Sequence, residues 1–281
     1  MIDQSQCTII IPHLGSSKEQ EFALDQCLLS LKETVPEMRI IVAANGRKTC
    51  NHEWDIHIAE QGQCKAVNAA VATVNTEWVL VTNDDMIYSQ NWFEKLVAPI
   101  TEDILCISPK LIEPRSGAPT FEVYFCGGAG GDFNKQKWLE FAKNYNPMYQ
   151  DVSKITPKGL CRTGFNLPFL IKRELFNLIG QYDINFDPWG SNSDSCLQTR
   201  IMLAGVQPYQ NTNSIVYHFS TTSGGSNSDY HSFWEKNWHY YIKKYGFSRA
   251  DSPIIWTSED IIQYDKLIYK PEWMGKYGKP K

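Results

Sequence analysis

Four short runs of β-branched and apolar residues, the first three each followed by a segment of helical period, constrain this chain more than any other feature. Cys7-Thr8-Ile9-Ile10-Ile11 is stopped by Pro12, and Glu19 to Thr34 then carries Phe22, Leu24, Cys27, Leu28 and Leu31 at helical spacing. Arg39 to Ala44 is a second run, punctuated by Asn45-Gly46. A short helix is expected over Lys65 to Val74, a strand over Trp78 to Thr82, a helix over Asn91 to Val97 and a strand over Ile104 to Ser108. Strands that are apolar on both faces and separated by helices belong in a parallel sheet covered on both sides. Such a sheet binds ligands beyond the carboxyl ends of its strands.

The third run ends abruptly in Asn83-Asp84-Asp85. Carboxylates delivered to a strand end suit Mg²⁺ or Mn²⁺, ions that bridge a protein to substrate phosphates. The same three residues also suit a turn or a helix cap.

Composition narrows the classes. A formal charge of −4 and 21% charged residues provide no global field for nucleic acid. The eight cysteines have no CxxC pair and no zinc-type spacing, which reads as reduced, mostly buried thiols. The chain has no basic leader with an apolar stretch, no run long enough to cross a membrane and no Asn-x-Ser/Thr acceptor, so a cytoplasmic protein is expected. The lysines at 266, 270, 276, 279 and 281 form a local basic patch near the C-terminus.

Between about Glu113 and Leu160 the reading is a long loop or lid with little regular structure, built around Gly127-Gly128-Ala129-Gly130-Gly131. That glycine run lacks the Lys-Ser/Thr of a phosphate-cradling P-loop, and a mobile flap is expected instead. Order returns over Phe169 to Ile179, in a helix from Asp194 to Ala204 ended by Gly205, and in a strand from Ser214 to His218. A helix from Ser232 to Tyr245, ended by Gly246, carries Phe233, Trp234, Trp238, Tyr241 and Ile242 on or near one side, as packing. The Trp/Tyr/Lys-rich tail from Asp251 wraps the domain or mediates assembly.

In this order, Thr8 to Pro12, Cys27 to Leu31, Ile40 to Gly46, Gly62 to Ala70, Trp78 to Asp85, Gly164 to Gly180 and Tyr182 to Asp187 leading to Asp194 through Arg200 resemble the GT-A glycosyltransferases of family 2. The resemblance covers about residues 7 to 220. It implies a Rossmann-like, doubly wound mixed β-sheet with helices on both faces. A domain over 1–225 would have a nucleotide-sugar half near 7–110 and an acceptor half near 160–220. An aromatic-rich helical extension over 226–281 would pack on it.

The resemblance implies transfer of a sugar from a nucleotide-diphosphate donor to a hydroxyl, mostly with inversion, with Mn²⁺ or Mg²⁺ as cofactor. Asp85 and His218 would hold the metal. Pro12, Asn45, Gly46, Lys65, Asn68, Asn83 and Asp84 would contact the donor. Trp189 and Gly190 would contact the acceptor, and Asp194 would be the catalytic base. Two departures stand out: Ala44 replaces a common aspartate, and Ser193 replaces the glutamate usual before the base. The nucleotide is therefore open among UDP as default, GDP and dTDP, and the acceptor among glycan, lipid-linked and protein hydroxyls. Two alternatives remain at this level. One is a nucleotidyltransferase, for which Pro12 to Lys18 is a poor Gly-rich, basic loop; the other is a catalytically decayed GT-A module that binds glycan or partner proteins.

Overall fold

The computed structural model describes residues 2–46, 56–115, 122–147, 159–161, 165–220 and 228–245. The first strand, β1 (Cys7–His13), is buried along its whole length, and its side chains alternate between two cores. Ile10 faces one core, while Ile9 and Ile11 face the other.

That alternation sets the layers. α1 (Lys18–Thr34) covers the Ile9/Ile11 face with Leu24, Cys27 and Leu31; its N-cap Ser17 accepts from the Gln20 amide. β2 (Arg39–Asn45) and β3 (Ile56–Ile58) extend the parallel sheet, and α2 (Gln63–Ala72) covers the opposite face with Cys64, Val67 and Val71. β4 (Trp78–Val81) pairs in parallel on the other side of β1. β5 (Met86–Tyr88) and α3 (Trp92–Val97) follow, then β6 (Cys106–Glu113), β7 (Glu122–Val123), α4 (Lys135–Lys143) and β8 (Leu160–Cys161). The last elements are β9 (Phe169–Lys172), α5 (Arg173–Leu178), α6 (Ser193–Leu203), β10 (Tyr209–His218) and α7 (Ser228–Tyr245).

The sheet runs β3-β2-β1-β4-β9-β6-β10-β5, with β7 on β6 and β8 on β10. The first four of these strands are parallel, β9 is antiparallel to β4 and β6, and β5 is antiparallel to β10. The sheet is therefore mixed and doubly wound, as the resemblance implies.

Three expectations need correction. Pro12 does not stop β1, because β4 pairs only as far as Ile10↔Val81 and the strand beyond has a ladder on one side only. A proline without an N–H is tolerated at such a position. The stretch after Glu113 is also not structureless. α4 buries Trp138 against Tyr217, ring centroids 5.4 Å apart, in a third core with Ile112 and Ile215. The glycine run leads into that helix as an anchored turn: the Tyr217 hydroxyl donates to the Gly127 carbonyl (2.7 Å) and accepts from the Cys126 amide (3.0 Å). Finally, β10 begins five residues before the expected Ser214, across a register shift between Asn211 and Ile215.

The seven described cysteines are buried free thiols. Among the described residues no helix is long and apolar enough to cross a membrane. The 148–158 part of the expected lid, Gly164, the helix stop at Gly246, the tail from Asp251 and the lysine patch lie outside the described residues.

Candidate active site

The parallel strands end together on one edge of the sheet. β1 and β4 are in register at Ile10↔Val81, so three residues further along each strand His13 stands beside Asp84. His13 Nδ1 and Asp84 Oδ2 are 2.6 Å apart and both side chains are buried. Burial lifts the Asp84 carboxyl against the pull of His13. For His13 burial works in the other direction, but Asp84 and Glu21 raise it. The contact ties Asp84 to the end of β1.

Asp85 is held differently. Directly after it, β5 turns antiparallel onto β10 with His218↔Met86 in register, and the Phe219 amide donates to the Asp85 carbonyl at 3.0 Å. His218 Nε2 thereby sits 3.3 Å from Asp85 Oδ2. The other ring nitrogen, Nδ1, is 2.6 Å from Oε1 of Glu113, the last residue of β6. Burial opposes charge on this imidazole, but the Asp85 and Glu113 carboxylates outweigh it and push His218 up to about 10.

This arrangement fits a divalent cation. Two cis donors each roughly 2.1 Å from such an ion stand about 3 Å apart, close to the observed Asp85–His218 separation. A carboxylate on the far nitrogen of a ligating histidine fixes its tautomer and orientation, which is Glu113's position here. Among the described residues no three His, Cys, Asp or Glu side chains converge on one point. The chain would thus supply Asp85 and His218, with phosphate oxygens and water completing the shell.

The cleft over this edge is lined by Pro12, Leu14, Gln20, Asn45, Gln61, Gln63, Asn83, Asp84, Asp85, Pro188 and Trp189. Among the described residues its lining holds two carboxylates and no lysine or arginine. Of the residues expected from sequence, Pro12, Asn45, Asn83, Asp84, Asp85 and Trp189 meet here. Asn83 Oδ1 accepts from Gln63 Nε2 at 3.4 Å. Asn45 spends its amide on the scaffold, donating to the His13 carbonyl (3.1 Å) and accepting from the Gly62 amide (3.0 Å). Gly46 has φ +77, and a Cβ there would meet Gln61 Cβ at 2.8 Å, so only glycine fits the turn.

Other expected residues are turned to other partners. The Lys65 ammonium is ion-paired with Glu60. Asn68 exchanges both ends of its amide with the Tyr182 backbone, at 2.8 and 2.9 Å. Gly190, φ +67, lets Gln63 approach, since a Cβ would lie 3.0 Å from its Oε1.

Asp194 lies in the first turn of α6, where the helix dipole favours a carboxylate. It is not the cap: the N-cap is Asn192, whose side chain makes no capping bond. Asp194 Oδ1 instead accepts from the Tyr182 hydroxyl at 2.8 Å. Tyr182 is buried, and burial followed by the Asp194 charge pushes its phenol well up, so it stays a donor.

Four site residues carried no assigned role in the sequence reading: His13, Glu113, Tyr182 and Asp187. Asp187 accepts from the amides of Cys64 (2.9 Å) and Lys65 (3.1 Å), capping α2 from a distant segment. Their partners are fixed by sheet register and long-range packing; the local signal was a polar residue at a strand end for His13 and Glu113, and the Tyr182 to Asp187 stretch for the other two.

Residues 8–118 match the family described as glycosyl transferase family 2. Two solved structures share the fold. One is GalNAc-T7 with UDP, GalNAc and Mn²⁺, at 16% identity and TM-score 0.56, covering 87% of this chain and 49% of that one. The other is the mannosyltransferase PcManGT from Pyrobaculum calidifontis in complex with GDP-Man and Mn²⁺, at 14% identity and TM-score 0.51, covering 82% and 60%. The chain thus spans about half to three-fifths of the length of these structures. No curated protein matches the sequence. With its mixed doubly wound sheet and its acidic strand end, the chain has a GT-A fold, and its residues 8–118 are similar to glycosyl transferase family 2.

Proposed function

We propose that the protein transfers a sugar from a nucleotide-diphosphate donor to an acceptor hydroxyl, with inversion. The observation that carries this reading is the pairing of Asp85, which lines the cleft, with His218 at cis-ligand spacing, in a cleft whose described lining offers carboxylates and amides. A diphosphate facing Asp84 and Asp85 is repelled by their charge, which a cation between them would offset. Mn²⁺ or Mg²⁺, when bound, would neutralise charge growing on the leaving phosphate.

In this reading Asp85 and His218 hold the cation, and Glu113 orients His218. Asn83 and Asp84 face the donor ribose and phosphates, the turn at Asn45-Gly46 shapes the nucleoside end, and Trp189 with Gly190 flanks the acceptor. Asp194 takes the proton from the acceptor hydroxyl as its oxygen bonds to the anomeric carbon. The bond from that carbon to the diphosphate breaks, and its electron pair leaves on the phosphate oxygen. Residues near 7–110 form the donor half and those near 160–220 the acceptor half of a 1–225 domain, and α7, the described part of the 226–281 extension, packs on it through Tyr241 and Tyr245.

Calorimetry of UDP, GDP and dTDP with and without Mn²⁺ tests the reading. Metal-dependent binding of one nucleotide, lost in Asp85→Ala and retained in Asp194→Asn, is the expected result. No binding under any condition would replace the transferase with a module that binds glycan or protein.

A further inference from the structure

The aromatic residues of α7 fall into two sets. Tyr241 and Tyr245 are fully buried in the same core as α2 and α6, and the Asn237 amide donates to the Phe186 carbonyl at 2.7 Å. Packing accounts for this set. Trp234 is different, being 45% exposed, with its ring parallel to Trp238 within 7° at 5.7 Å. Among the described residues no other tryptophan is exposed to this degree.

Its position ties it to the candidate base. Asn192 Nδ2 donates to the Trp234 carbonyl at 3.4 Å, so this turn of α7 rests on the residue that caps the Asp194 helix. One turn earlier, Tyr230 meets Trp189 edge to face, centroids 6.1 Å apart, and Trp189 lines the cleft. Burial and then the Asp194 charge raise the Tyr230 phenol, so rings from two distant segments meet within electrostatic reach of the carboxylate that would receive a hydroxyl proton.

We propose that the acceptor is a saccharide and that Trp189, Tyr230 and Trp234 form the wall on which its rings stack beside Asp194. This rests on the reading of Asp194 as the base. A pyranose has an apolar C–H face that suits an aromatic ring, with hydroxyls at its edge for groups such as Asn192 and Asp194. Lys236, the next cation along the helix, lies 5.5 Å from the centre of the Phe233 ring. A wall of flat rings with amide and carboxylate neighbours suits a neutral polyhydroxylated ligand better than a phospholipid or an acidic peptide.

The test uses the intact protein with Mn²⁺ and whichever of UDP, GDP or dTDP binds. Methyl glycosides of glucose, galactose, mannose and N-acetylglucosamine, together with cellobiose, lactose and chitobiose, are titrated by saturation-transfer NMR. At least one should bind. Trp234→Ala should weaken it roughly five- to tenfold, Trp234→Phe should keep most of the affinity, and nucleotide binding should be unchanged in both. Nucleotide binding with no saccharide binding, or saccharide affinity unmoved by Trp234→Ala, would overturn the wall alone. So would transfer to a polyprenyl phosphate or a peptide that is indifferent to Trp234. Trp234-dependent saccharide binding without any nucleotide binding would support the wall and remove the donor reading.

Discussion

Replacing Glu113 by Gln isolates the contribution of the histidine's outer partner to metal binding. Glu113 Oε1 lies 2.6 Å from His218 Nδ1, and both side chains are largely buried. Glu113 accepting from Nδ1–H would leave Nε2, 3.3 Å from Asp85 Oδ2, as the nitrogen that gives up its proton when a cation binds. Glutamine keeps the shape but loses the charge, and its amide can turn to donate to Nδ1, placing the ring proton on Nε2, where a cation would bind. A hydrogen bond to a charged group contributes about 1.5–3 kcal/mol. Because the amide oxygen can still accept, the lower end applies, about tenfold in affinity. Loss of an outer-shell partner costs metal sites about 10–100-fold, which overlaps this figure. The assay is Mn²⁺ titration followed by electron paramagnetic resonance of the free ion, with thermal unfolding as a folding control. If Glu113→Gln and His218→Ala both bind Mn²⁺ within twofold of the native protein while Asp85→Ala does not, His218 is not a ligand and the reasoning fails.

Three further outcomes are expected. Tyr182→Phe removes the donor to Asp194 (2.8 Å) without emptying the ring's place in the core; kcat should fall about tenfold, donor KM should hold, and the acid limb of kcat should move to higher pH because the carboxylate protonates more easily. An unchanged limb would reduce Tyr182 to packing. Burial would raise the Asp183 carboxyl, but the Lys244 ammonium at 2.6 Å and the Asn185 amide bring it down from 3.8 to about 2. A depressed acid stabilises the fold above its unfolded value and loses that contribution as pH falls through the folded one, so about 2 kcal/mol should be present at neutral pH and fade between about pH 4 and 2. Urea midpoints of native and Lys244→Met protein should therefore converge in acid, and a constant gap would count against the pair. Asp187→Ala should destabilise by about 1–2 kcal/mol and raise amide exchange at Cys64 and Lys65, which lose their acceptor; equal protection in the variant would mean that the helix end is capped by other groups.

Much of the scaffold was legible locally. The apolar runs at Cys7–Ile11, Arg39–Ala44 and Trp78–Val81 became strands within a residue or two, because residues buried on both faces leave little choice of partner surface. The helix over Lys135–Lys143 was missed since its apolar stripe is short and follows a glycine run. Its place depends on Trp138 reaching Tyr217 on a strand that comes much later in the chain. β9 was likewise not identifiable as the antiparallel strand between β4 and β6, because a four-residue run carries no information on direction.

By itself the sequence determined the class of sheet, the delivery of Asn83, Asp84 and Asp85 to its carboxyl edge and the start of a helix at Asp194, all properties of contiguous residues. Only the tertiary structure decided which partner each acid takes. Asp84 went to His13 through the β1–β4 register, Asp85 to His218, itself backed by Glu113, through β10 lying between β5 and β6, and Asp194 to Tyr182 through the Asn68 tie to α2. Those pairings join residues separated by as many as 133 positions, Asp85 and His218, and a distance of about 3 Å across such a separation is set by strand order and register, which no local pattern encodes.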